Sequence, residues 1–146
     1  VTEITFHVGV RDKETYACRL IRKVSASGAR VVVVSESVMR DLLDQSLWTV
    51  APHEFLPHCR ADSTPDIKAV TPIILAVPGD DSPLPHHEVM VNLTGEVPPG
   101  FGSFQRLNEI IGLDAFEIQA GRERYKSYKS RGYALKVFDN AAAGTG

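Results

Sequence analysis

Residues 30–48 read Arg30-Val31-Val32-Val33-Val34-Ser35-Glu36-Ser37-Val38-Met39-Arg40-Asp41-Leu42-Leu43-Asp44-Gln45-Ser46-Leu47-Trp48. The four valines are β-branched and apolar without interruption, which suits a central strand covered on both faces, because a strand with one wet face alternates instead. Ser37 is the expected cap of the helix that follows. Met39, Leu42, Leu43 and Leu47 recur at helical spacing, so the helix is predicted to run to about Trp48. A strand leading directly into an amphipathic helix is half of a βαβ unit.

The same alternation extends in both directions. Upstream, Ile4, Phe6, Val8 and Val10 alternate with Thr5, His7 and Gly9 as a first strand. Asp12 is placed to cap a helix whose buried stripe is Ala17, Leu20, Ile21 and Val24, with Gly28 at its end. Downstream, the prolines Pro52, Pro57 and Pro65 keep regular structure short, with a brief strand near Phe55. Strands are predicted at 73–77, 88–93 and 106–111, with a loop over 79–87, a break at Pro98-Pro99-Gly100 and a short helix after Gly102. Asp114 opens a long final helix to about Ser130, stopped by Gly132. These elements predict one α/β domain over residues 1–140, Rossmann-like, with a mostly parallel sheet flanked by helices on both faces, and a frayed tail over 141–146.

The chain has 146 residues, 43% of them hydrophobic and 23% charged. That composition excludes collagen-like, coiled-coil and disordered classes. The longest apolar runs are too short to cross a bilayer. With no leading basic-then-apolar segment, a cytoplasmic location is expected. Cys18 and Cys59 make no disulfide framework. The net charge of −2 conceals an asymmetry: residues 122–136 hold six bases against Glu123 alone, a charge of +5, and leave −7 on the remainder. A basic stretch on an acidic body points to an anionic partner, or else to a solvated helix face.

Nucleotide chemistry lacks its signatures. The loop after the first strand has Gly9 alone, which cannot line up bare amides against a pyrophosphate, and no Gly-Lys-Ser/Thr occurs. Gly100-Phe101-Gly102 follows no strand. An acidic pair after the first strand, as a phosphoacceptor domain requires, is absent. His53, His58, Cys59 and the neighbours His86-His87 fit no metal-ligand spacing. Adjacent Cys59 and His58 do not make a nucleophile–base pair. No cofactor, metal or catalytic residue is therefore expected, and binding is favoured over catalysis.

Chemistry concentrates in two places. Residues 47–58 hold the chain's one tryptophan, a phenylalanine and two prolines without periodicity; Trp48 there is either an interface anchor or a plug against the sheet. In the last helix, Ile118, Gly121, Tyr125 and Tyr128 share a face expected to dock on the sheet, and Arg122, Lys126 and Lys129 form a basic stripe beside it. Such a border suits a ligand with a carboxylate and an aromatic group, or a nucleic-acid strand.

Leu47-Trp48, Pro52, Phe55 and Pro57-His58, together with Arg122-Glu123-Arg124-Tyr125-Lys126-Ser127-Tyr128 and Gly132-Tyr133, resemble the signature of the chi subunit family of bacterial DNA polymerase III. The resemblance implies a non-catalytic accessory subunit with a Rossmann-like fold and no nucleotide site. It implies two partners: the psi subunit of the clamp loader, and the acidic C-terminal tail of single-stranded DNA-binding protein, which ends in a phenylalanine carboxylate. Carried over position by position, the tail-binding arginine falls on Arg122, its helical neighbours on Tyr125 and Lys126, the following turn on Gly132, and an apolar residue against the terminal phenylalanine on Ile111. The psi-binding surface falls on Trp48, Pro52 and Phe55. A further basic position of the family falls on Ile118, leaving Arg124 or Lys129 to hold the acidic part of the tail. Two readings stand beside this one: a module that binds nucleic acid directly through the basic helix, and an α/β enzyme or nucleotide binder inferred from fold class alone.

Overall fold

A computed structural model describes residues 1–49 and 56–141. The valine run forms β2 (Val31–Val34), wholly buried, and the apolar stripe behind it forms α2 (Ser37–Thr49). Before them lie β1 (Glu3–Val10) and α1 (Lys13–Ala26). After them come β3 (His58–Arg60), α3 (Pro65–Val70), β4 (Ile73–Ala76), β5 (Val89–Asn92), a single 3-10 turn (Phe101–Ser103), β6 (Arg106–Gly112), α4 (Ala115–Ser130) and β7 (Ala134–Asp139). All seven strands join one parallel sheet in the order β3-β4-β2-β5-β6-β1-β7.

The two sheet faces carry separate cores. On one, Val31, Val33, Ile73 and Leu75 meet Ala17 and Ile21 of α1 and Leu43 and Leu47 of α2. On the other, Ile4, Phe6, Leu107 and Ile111 meet Tyr125 and Tyr128 of α4. Helices thus cover both faces, and the apolar run of β2 is explained by its neighbours on each side. Among the described residues no helix is long and apolar enough to cross a membrane.

Helix ends follow local chemistry. Asp12 accepts from the Thr15 amide at 3.2 Å and Asp114 from the Phe116 amide at 2.7 Å, each satisfying a donor that has no partner inside its helix. At the end of α4, the Gly132 amide donates to Lys129 and the Tyr133 amide to Tyr128, with Gly132 at φ 89°. This closing turn requires the left-handed conformation that glycine adopts without strain.

Several expectations are corrected. Ser37 is the first residue inside α2, because the Arg40 amide already donates to the Glu36 carbonyl. The short helical turn begins at Phe101, before Gly102. The brief strand lies at His58–Arg60, and the expected strand near Phe55 falls outside the described residues, as do 142–146 of the expected tail. Two elements were not anticipated. Proline at the first position of a helix loses no needed donor, which places Pro65 at the start of α3. Beyond Gly132 the chain returns as β7, the outermost strand.

Candidate functional site

Connections leaving the sheet decide where a crevice forms. β1 leads into α1 on one face and its neighbour β6 leads into α4 on the other. Adjacent strands whose helices diverge leave an opening beyond their carboxyl ends. β1 widens this opening with a bulge between His7 and Val10, at which Gly9 takes φ 69°.

A cavity of about 350 Å³ lies there. β1 contributes Phe6, Val8 and Gly9; β6 and the residue after it contribute Ile111, Gly112 and Leu113. From α4 come Ile118, Gly121, Arg122 and Tyr125, and from β7 Val137 and Asp139. Among the described residues the lining is mostly apolar, with Arg122 its one cation and Asp139 its one acid. Arg122 is exposed and makes no ion pair among the described residues. Tyr125 stands edge-on to Phe6 with ring centroids 5.3 Å apart. An apolar cleft with a free guanidinium at its border can take an aromatic or aliphatic side chain beside a carboxylate.

The close seat of α4 on β6 depends on Gly121. A Cβ there would lie 2.9 Å from Ile111 Cδ1 and 3.3 Å from its Cγ1. Gly121→Ala gains about 1 kcal/mol of helix propensity, which offsets only part of an overpacking cost of about 1–3 kcal/mol. Stability measured by urea unfolding should therefore fall by no more than about 2 kcal/mol, while Ile111 is driven into the cavity and ligand affinity falls several-fold.

Beneath α4 lies a buried charged cluster. Glu109 is 0% exposed and Arg124 4%. Glu109 Oε1 accepts from Arg124 Nη2 at 3.1 Å and from Asn92 Nδ2 at 2.8 Å, and Oε2 accepts from the Tyr128 hydroxyl at 2.6 Å. Burial raises the Glu109 carboxyl above its ordinary range despite the opposing pull of Arg124. Arg124 Nε and Nη1 have no partner among the described residues. This cluster corrects the sequence reading: Arg124 belongs to the docking face of α4 and cannot reach a ligand at the surface.

The start of α4 is also occupied. Glu117 Oε1 accepts from the Gly112 amide at 3.1 Å and from Lys13 Nζ at 2.8 Å, while Lys13 also donates to the Leu93 carbonyl at 2.8 Å. A carboxylate of the chain itself therefore takes the amide that ends β6 and the ammonium of Lys13, while Asp114 takes the Phe116 amide at the opening of α4.

Of the expected tail-site residues, Ile111, Arg122 and Tyr125 line one cavity. Lys126 is exposed outside that lining, and Gly132 shapes the end of α4 beyond it. Leu113, Val137 and Asp139 join the lining without having been singled out from the sequence. On the opposite side of the sheet, Trp48 is 51% exposed and is therefore no plug. Its ring lies 4.3 Å from that of His58. His58 is held by the carbonyls of Leu56 and Asp44, at 2.7 and 3.0 Å, so Trp48 rests on a fixed support. Pro52 and Phe55, expected to share that surface, lie outside the described residues. Among the described residues no group of three or more His, Cys, Asp or Glu side chains is placed to hold a metal.

Comparison with known proteins agrees in one direction. The family model described as "DNA polymerase III chi subunit, HolC" matches residues 1–136. Curated relatives named DNA polymerase III subunit chi include that of Pseudomonas aeruginosa, 30% identical over 82% of this chain and 81% of its own. That of Haemophilus influenzae is 32% identical over 85% of each, and that of Escherichia coli 25% identical over 88% of this chain and 86% of its own. Among solved structures, the crystal structure of T4 UvsW shares the fold, with a TM-score of 0.65 and 11% identity over 94% of this chain and 42% of that one.

Proposed function

This chain belongs to the DNA polymerase III chi subunit family, an accessory and non-catalytic subunit in DNA replication, and from that premise we propose how it connects its partners. It acts in the cytoplasm, linking the clamp loader, through psi, to single-stranded DNA-binding protein. The acidic C-terminal tail of that protein places its terminal phenylalanine in the cavity under α4, and Arg122 holds the terminal carboxylate. The observation that carries this reading is the exposed guanidinium of Arg122, without an ion pair among the described residues, on a mostly apolar cavity that also holds Ile111 and Tyr125. Lys126 and Gly132 complete the site, as an outer cation and as the turn that ends α4.

Guanidinium and carboxylate match as a two-pronged pair. A short peptide making a few such contacts binds at about micromolar Kd, and salt weakens it. A fluorescence-polarisation titration with a labelled acidic peptide ending in phenylalanine should saturate, and its affinity should fall as salt is added. A flat titration at low salt would remove the reading. Direct binding of nucleic acid suits the site less well, since a phosphate backbone asks for a row of cations along a groove rather than one at an apolar cavity.

Trp48, Pro52 and Phe55 are assigned to psi. Trp48 supports this as a large aromatic half-exposed on a fixed support. Trp48→Ala should lose psi in a pull-down while keeping wild-type affinity for the tail peptide. Loss of both would indicate a folding defect instead.

A further inference from the structure

The β1–β7 edge of the sheet has a cavity on each face. One is the Arg122 cavity on the α4 side, which Val137 lines. The other, of about 310 Å³, lies on the α1 side, where His7, Tyr16, Leu20 and Phe138 meet Arg19 and Lys23. Among the described residues no acid lines this second cavity. Arg19 and Lys23 stand one helical turn apart, and neither makes an ion pair among the described residues. Lys136 is exposed on the same face, paired in register with Thr5, a residue of the cavity wall.

β7 itself is open. Among the described residues it pairs with β1 alone, in unbroken register over its full length. It has no proline or bulge to blunt its edge, and it exposes Val137 toward one face and Phe138, 47% exposed, toward the other. The Asn140 amide donates to the Val8 carbonyl. By alternation, the N–H and C=O of Leu135 and Val137 point away from β1 and offer hydrogen bonds to a further strand. A peptide added there would send successive side chains to the two faces in turn. Both faces present cations beside apolar surface, and the carboxylate of Asp139 at the end of β7 on the α4 side accepts from the Ala141 amide, so the edge before it is complementary to an extended acidic peptide. Outward amides and carbonyls favour a peptide over a nucleic acid.

We propose that the outer edge of β7 takes up, as an added strand, the acidic segment that precedes the last residue of the bound tail, and that Arg19 and Lys23 meet its carboxylates on the α1 face. The inference rests on the reading that Arg122 holds the terminal carboxylate. It also supplies the cations that Ile118 does not provide and that Arg124, buried against Glu109, cannot.

Two peptides test it: a short one ending in a free-carboxylate phenylalanine with no other acid, and the same peptide extended at its start by an aspartate-rich stretch. The extended peptide should bind wild type on the order of tenfold more tightly. The double variant Arg19→Ser, Lys23→Ser should keep the short peptide's affinity and lose that gain. Amide exchange at Val137 should slow with the extended peptide only. The inference is overturned if the double variant keeps the gain, if the extension adds no affinity, or if Val137 exchange does not respond. If the short peptide fails to bind wild type at all, the assignment of the terminal carboxylate to Arg122 falls first, and the inference with it.

Discussion

Glu109→Leu is expected to destabilise the fold by about 3–5 kcal/mol, because it leaves the Arg124 guanidinium buried without its counter-charge. A guanidinium cannot discharge itself by losing a proton, so this variant's own stability takes no pH dependence from the site, and its deficit against wild type narrows as pH rises because wild type alone carries the raised Glu109 carboxyl. Arg124→Met removes the other partner and behaves differently. The carboxyl it strands can take up a proton, and burial already raises its pKa above the ordinary 4.5. Without Arg124 the rise becomes larger. A carboxyl whose folded pKa exceeds its unfolded pKa contributes stability fully present below the unfolded value and lost as pH climbs through the folded one. The Arg124→Met protein should therefore be least impaired near pH 4 and increasingly impaired toward neutrality, while the Glu109→Leu deficit runs the other way and narrows. The double variant should recover most of the loss, since two of the guanidinium nitrogens lack partners among the described residues and the pair is poorly repaid for its burial. Urea unfolding of all four proteins at several pH values measures these differences. Equal pH dependence of the two single variants would contradict the account of the cluster.

Arg122→Ala carries the largest expected effect on binding. The side chain is exposed, lines the cavity and supports nothing in the core. Stability should stay within about 0.5 kcal/mol of wild type, as for other surface changes. Losing a charge-assisted pair with a carboxylate costs roughly 1.5–3 kcal/mol, which is a loss of about ten- to more than a hundredfold in tail affinity. Arg122→Lys keeps the charge but not the planar fork, and should fall between the two. Calorimetric titration with the tail peptide reads both variants. An unchanged affinity in Arg122→Ala would move the site elsewhere.

The interior strands were legible because burial on two faces writes itself as continuous apolar residues, as in Val31–Val34 and Ile73–Ala76. Helices α1, α2 and α4 were legible from their spacing. β7 was not, since an edge strand needs little burial; its signal is Leu135 and Val137 alternating around Lys136, with Phe138 breaking the pattern. Thr64-Pro65 was an available sign of α3. Strand order was beyond reach, because β5 and β6 insert between the consecutive β1 and β2.

That order is what brings Ile111 of β6 beneath Arg122 and Tyr125. The charge count misled in two respects. Arg124 belongs to a buried pair and adds nothing to the surface, although its position three residues after Gly121 and four before Tyr128 puts it on the docking face. The acidic remainder also contains Arg19 and Lys23, which make no ion pair among the described residues and become a patch only once α1 is set beside β7.

Contact between Arg122 and a terminal carboxylate is measured by titrating wild type and Arg122→Ala with two tail peptides that differ only at the last residue, one a free carboxylate and the other a carboxamide. Amidation should cost wild type about tenfold or more in affinity and cost Arg122→Ala almost nothing, because the partner of the lost charge is already gone. An equal penalty in both proteins, or none in wild type, would contradict it.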